Sequence, residues 1–267
     1  MKLYELINEN SKSEALAFLL YYEKSASYII EINSDIEEKD LPLILSSFFN
    51  KGIYTVDPNW SEKFVETRII PRDRQNLSSV LQRYGLKEYD TSKLLDLSKG
   101  RCAQDDCAIL PINTIPDWLK KRQEANIREA VFLHDMLMML ECEDDRFYFT
   151  DLRPLILNNQ RLSFLKEQSY PFEKTEVMPG GYGIYLDDTI SIMKDDLFKY
   201  RIEYQPDSAD LKKFFETGIL STGEVCRKLN CSRQYVNILI KKNKLKIYKK
   251  FDNSNLFLRS DISKLLW

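Results

Sequence analysis

Ser221-Thr222-Gly223-Glu224 has the spacing of a capping box, in which a serine hydroxyl caps a helix start and a glutamate reaches back to the serine N–H. That start commits the following residues to a short helix, with Val225, Cys226 and Leu229 as its buried stripe. Asn230-Cys231 reads as a tight turn, and Ser232 as the cap of a second helix running to about Lys242. On that helix Val236, Leu239 and Ile240 face the first one. Arg233, Asn237 and Lys241, at i, i+4 and i+8, share the opposite face, with Gln234 at its edge. Residues 244–251 and 256–259 then alternate as the two strands of a basic hairpin around Asp252-Asn253-Ser254-Asn255. Ser260-Asp261 is expected to cap a last helix over residues 262–266.

Charge divides the chain in the same place. The whole protein is nearly neutral, at −2, but residues 221–267 hold eleven Lys or Arg against Glu224, Asp252 and Asp261. The tail therefore carries +8 and residues 1–220 carry −10. A basic tail on an acidic body points to a nucleic-acid partner for the tail. The outer face of the second helix has matching chemistry, since Arg donates two hydrogen bonds to guanine and Asn or Gln pairs in two with adenine. Lys242, Lys244, Lys246, Lys249 and Lys250 suit phosphates, which position a protein without specifying sequence.

Residues 221–266 resemble the winged helix-turn-helix of excisionases and MerR-type regulators. Those domains run T-x-x-E-V-A-x-x-L-x-V-S, then a helix, a K-L wing and S-D-[IL]. Cys226 and Cys231 stand where small or aliphatic core residues are usual. The resemblance implies DNA binding, with Ser232, Arg233, Gln234, Asn237 and Lys241 in the major groove.

Further resemblances lie in the body. Glu143-Asp144-Asp145, residues 151–155 (D-L-R-P-L), residues 181–184 and Asp195-Asp196-Leu197 are similar to the small bacterial domain family of unknown function DUF2442. That likeness implies a small α+β sheet more than a function. Arg68, Pro71, Arg74, Leu77, Leu94-Leu95, Ser98-Lys99-Gly100 and Asp105-Asp106 are similar to the amino-terminal region of HipA-type toxin kinases, without the kinase body.

Local patterns complete the expected elements. Ser27–Ile32 reads as a strand, and residues 41–49, 60–65, 73–84 and 91–98 as helices, the second opened by Asp57-Pro58-Asn59. Residues 107–130 read as a link through Pro111 and Pro116 with a charged helix. Strands are expected over 130–141 and 146–150, joined by the acidic turn Glu143-Asp144-Asp145, and 175–178 and 183–186 are expected as a hairpin around Pro179-Gly180-Gly181. Residues 205–208 read as a linker.

Enzyme signatures are missing. A single histidine, His134, placed on a strand, leaves no H-E-x-x-H site, and there is no G-x-S-x-G, P-loop or G-x-G-x-x-G. The two C-x4-C pairs, Cys102/Cys107 and Cys226/Cys231, allow a four-thiolate zinc site but read more naturally as packing. Acids at 141–145, 187–188 and 195–196 admit a Mg²⁺ site, turn and cap roles, or mimicry of nucleic acid. No secretory leader or membrane-length apolar run is visible, and five cysteines fit a reducing cytoplasm.

The sequence thus predicts a multi-module α+β chain: a mixed α/β domain over 1–110, a small α+β domain over 128–200 and a winged helix-turn-helix over 217–267. It predicts a cytoplasmic, non-enzymatic regulator of antitoxin or autorepressor type, without cofactor. Its partners would be double-stranded DNA for the tail, a protein for the acidic body, and a second copy, although no heptad seam is visible. The alternative is a mobile-element inhibitor of a defence nuclease, anti-CRISPR-like, whose tail represses its own operon. A metal-dependent nuclease built on the acidic clusters is a third reading.

Overall fold

Large apolar residues in the first thirty positions build three neighbouring antiparallel strands, β1 (Lys2–Asn8), β2 (Ala17–Tyr22) and β3 (Ser27–Ile32). In the computed structural model, which describes residues 1–10, 14–167, 172, 174–186, 190–250 and 255–267, two further strands extend this sheet. β4 (Thr55–Val56) joins one edge and β5 (Cys107–Ile112) the other, in the order β4-β3-β2-β1-β5. Helices α1 (Leu43–Phe49), α2 (Pro58–Glu66), α3 (Leu77–Arg83) and α4 (Thr91–Ser98) lie between β3 and β5 in the chain. Leu45, Phe64, Val65, Leu94 and Leu95 pack with Tyr4, Leu6, Leu19, Ile30 and Ile32 to form one core. Asp57 caps α2 by accepting from the Asn59 and Trp60 N–H groups.

Two expectations change here. Residues 107–112 are a strand instead of a link, and β5 pairs with β1 from Leu3↔Ile112 to Asn8↔Cys107. Pro111 is tolerated because β5 is an edge strand. Helix α3 begins at Leu77, later than the expected 73, and ends before Gly85, whose φ is 71°.

Arg68, Ser98, Gly100 and Asp105 come together around a buried guanidinium. Buried Arg68 donates to both Asp105 carboxylate oxygens, at 3.2 and 2.5 Å, and to the Gly100 carbonyl at 2.9 Å. Ser98 Oγ donates to the Arg68 carbonyl. This cluster braces the ends of α2 and α4 to the start of β5.

Met1–Leu119 is one compact unit and Lys120–Trp267 another. Ahead of the second unit's first strand lies α5 (Asp117–Gln123). β6 (Ile127–Phe132), β7 (Leu137–Cys142), β8 (Phe147–Asp151) and β12 (Arg201–Ile202) form an antiparallel sheet in the order β12-β8-β7-β6. β9 (Glu176–Val177), β10 (Gly183–Leu186) and β11 (Ile190–Met193) form a three-stranded sheet. Ile127, Ala130, Met138 and Leu140 share a core with α6 (Leu152–Asn158), α7 (Lys194–Phe198) and the β9–β11 sheet. The Pro179-Gly180-Gly181 turn forms as expected. At Gly181, φ is 76° and a Cβ would lie 2.4 Å from the Ile127 carbonyl oxygen, so only glycine fits.

His134 is not on a strand. Residues 133–136 turn the chain between β6 and β7, with Asp135 and Met136 both at positive φ, and the imidazole is half-exposed near Tyr204 Oη at 3.1 Å. Residues 203–207 lead into α8 (Ser208–Gly218), which opens on a capping box formed by Asp207 and Asp210. Helix α8 covers the other face of the four-stranded sheet, with Phe214 against Val131, Leu137, Met139 and Phe149. The molecule is thus an α+β, multi-module fold. Among the described residues, no helix is long and apolar enough to cross a membrane. Asp187-Asp188 and residues 251–254 lie outside the described residues.

Candidate nucleic-acid interface

After α8 the chain enters β13 (Ile219–Ser221), then α9 (Thr222–Lys228) and α10 (Arg233–Lys241). The capping box at Ser221 forms in full. Glu224 N–H donates to Ser221 Oγ, and Ser221 N–H and Oγ donate to Glu224 Oε2 at 2.8 and 2.7 Å. These bonds from Ser221 hold the Glu224 carboxyl below its ordinary value of 4.5. Because the folded value is the lower one, their contribution is complete above about pH 4.5 and disappears as pH falls through the folded value. Ser221→Ala is therefore expected to cost about 1 kcal/mol at neutral pH and less in acid. Urea unfolding at pH 7 and pH 3 checks this, and a cost independent of pH would contradict it.

Asn230, at φ 47°, makes the turn, and Ser232 Oγ caps α10 by accepting from Tyr235 N–H. Val225, Val236, Leu239, Leu245, Phe257 and Ile262 form the buried core of this module, with Cys226 and Cys231 partly buried against it. The remaining elements are β14 (Lys249–Lys250), β15 (Asn255–Leu258) and α11 (Arg259–Lys264), with strands in the order β13-β15-β14.

Burial of Val236 and Leu239 fixes which side of α10 faces out. Ser232, Arg233, Gln234, Asn237 and Lys241 are all exposed. Helical geometry puts Gln234, Ile238 and Lys241 at the centre of the outer face, with Arg233 and Asn237 on its flank. Gln234 is thus central, not at the edge. Sequence reasoning missed Tyr235 and Ile238, which are 48% and 44% exposed beside these polar groups. Their signal was present: they are apolar residues off the buried stripe.

Lys242, Lys244, Lys246, Lys249 and Lys250 are also exposed. Leu245 is buried and Ile247 half-buried between them, but of the strand expected over 244–251 only Lys249–Lys250 forms among the described residues, and Tyr248, Lys249 and Lys250 are exposed in succession. Among the described residues of this stretch, Lys249 and Lys250 alone pair, with Leu256 and Asn255. The partner strand β15 has four residues before the chain coils into α11, which limits the hairpin. Ser260 is buried inside the first turn of α11 and is not its cap; Leu258 holds that position without a side-chain bond.

Three of the tail's cations are engaged elsewhere. Arg259 donates through Nε to both Glu129 oxygens at 3.0 Å and through Nη2 to Glu129 and the Ala130 carbonyl. Lys264 pairs with Glu143 at 2.6 Å, and Lys228 pairs with Glu176. A β-bulge between Ile127 and Glu129 adds Arg128 to β6. Arg128 lies among Glu141, Glu143 and Asp145, while Glu129 meets Arg259. The acidic turn therefore serves largely to brace the fold and dock the module. Among the described residues, no group of three or more His, Cys, Asp or Glu side chains is arranged to hold a metal ion.

The surface is thus an outward helix face of mixed donors and apolar groups, flanked by exposed lysines, with Arg259, Lys264 and Lys228 ion-paired to residues of β6, the acidic turn and β9. Comparison of the chain with protein-family models, curated proteins and solved structures finds no match.

Proposed function

We propose that this chain is a DNA-binding regulator of antitoxin or autorepressor type, which reads duplex DNA through α10 and grips phosphates through residues 242–250. One observation carries the reading: Arg233, Gln234, Asn237 and Lys241 stand exposed together on one helix next to five exposed lysines. Such a helix end matches the depth of a major groove, and its residue types match base edges. Ile238 at the centre of the face suits the 5-methyl group of thymine. Because Lys228, Arg259 and Lys264 are committed to docking, the phosphate-binding charge is concentrated on the end of α10 and the wing. The body, at −10, is the part that engages a protein partner.

Selection of the full chain on a randomised duplex library tests the reading. The wild type is expected to enrich a defined sequence. The Arg233→Ala/Asn237→Ala variant should retain salt-dependent binding while losing most of the enrichment, at about 1–3 kcal/mol of discrimination for each truncated side chain. Failure of the wild type to enrich any sequence would contradict it.

A further inference from the structure

Helix α8 turns Asp210, Lys213 and Phe214 toward the sheet, with Lys213 Nζ donating to the Leu133 carbonyl at 2.7 Å. Its opposite side carries two adjacent stripes. Leu211 and Phe215, one turn apart, are 43% and 51% exposed. Beside them Lys212 and Glu216 form an exposed charged pair at 3.7 Å. The apolar stripe continues onto the sheet, because Phe147, 48% exposed, meets Phe214 edge-on at 5.5 Å and Phe214 meets Phe215 at 6.0 Å. With roughly 200 Å² per large side chain, the exposed parts of Leu211, Phe215 and Phe147 amount to on the order of 300 Å² of apolar surface. That falls at the lower end of the range for the largest apolar patch on a monomer, which is often functional.

We propose that this surface joins two copies of the chain about a two-fold axis, with α8 antiparallel to its symmetry mate. A two-fold interface must be complementary to itself, since each residue meets the other copy's version of its own partner. The charged stripe satisfies that condition. An antiparallel axis midway between residues 212 and 216 sets Lys212 against the partner's Glu216, and Glu216 against the partner's Lys212. Leu211 and Phe215 then pack on the same pair from the second copy. A strongly acidic or basic partner would find no surface of single sign here. Helix α8 also runs through Gly218 and β13 into the module that carries α10, so the axis would fix two recognition helices relative to each other. The dimer itself does not depend on DNA binding.

Sedimentation velocity on the full chain without DNA tests the proposal. At on the order of 50 µM the expected mass is twice the 31.5 kDa chain. A monomeric wild type would overturn it, as would a Leu211→Ser/Phe215→Ser variant that stays dimeric. Lys212→Glu and Glu216→Lys place like charges opposite each other at both symmetric contacts, so each is expected to dimerise about tenfold more weakly. Mixed in equal amounts, the two variants recreate opposite charges at both contacts and should form heterodimers of wild-type strength. A mixture no tighter than either variant alone would overturn the two-fold arrangement. Circular dichroism verifies that each variant is folded. A chain that dimerises but enriches no DNA sequence would refute the functional reading and leave this inference standing.

Discussion

Arg259→Ala is expected to destabilise the second unit by about 3–5 kcal/mol. Glu129 is 3% exposed and accepts hydrogen bonds from the Arg259 guanidinium and the Ala130 N–H. Truncating Arg259 would leave that carboxylate buried with no guanidinium opposite it. Replacing both partners by apolar residues, Glu129→Leu/Arg259→Met, removes the buried charge as well as the pair and should restore most of the loss. Urea unfolding of the wild type and these two variants at pH 7 checks this. An Arg259→Ala variant within about 1 kcal/mol of wild type would show that the pair does not hold the module.

Arg259 also marks the limit of what could be read from the sequence. The capping box at Ser221, the cap at Ser232, the Asp57 cap and the Gly180-Gly181 turn were legible because each is a hydrogen-bond or φ requirement met within a few residues. The outward face of α10 was legible because Val236 and Leu239 set its phase. The alternation places Arg259 at the end of a hairpin strand, whereas its partner lies 130 residues earlier and reaches it only after a bulge shifts the register of β6. Strand β5 was hidden by Pro111, which is compatible with a strand only at the edge of a sheet, and edges are set by the whole topology. The strand expected over 244–251 is longer than the observed Lys249–Lys250 because alternation reports which side chains are buried, not whether a neighbouring strand is long enough to pair. His134 moved from strand to turn for a similar reason: periodicity across 130–141 could not show where the hairpin folds back.

Lys246→Ala/Lys249→Ala/Lys250→Ala is expected to weaken DNA binding by roughly 100-fold at moderate salt while leaving thermal stability nearly unchanged. All three side chains are exposed, and none belongs to the module's buried core. If these lysines contact phosphates as proposed, removing each should also reduce the slope of log affinity against log salt by about 0.9, so the triple variant should be less salt-sensitive by roughly 2.7. Its preference among duplexes should persist, because Arg233, Gln234 and Asn237 remain. The contrasting Arg233→Ala/Asn237→Ala variant should lose preference and keep most of its slope. Parallel losses in both variants would mean that the wing and helix do not divide the work in this way.

The salt dependence of wild-type binding is the most direct test of the assigned DNA interface. Five exposed lysines between residues 242 and 250 give an expected slope near −4.5 for the full chain on a duplex, or roughly a 500-fold loss of affinity between 50 and 200 mM salt. A slope near zero, or no binding at 50 mM salt, would contradict the assignment of this surface to DNA.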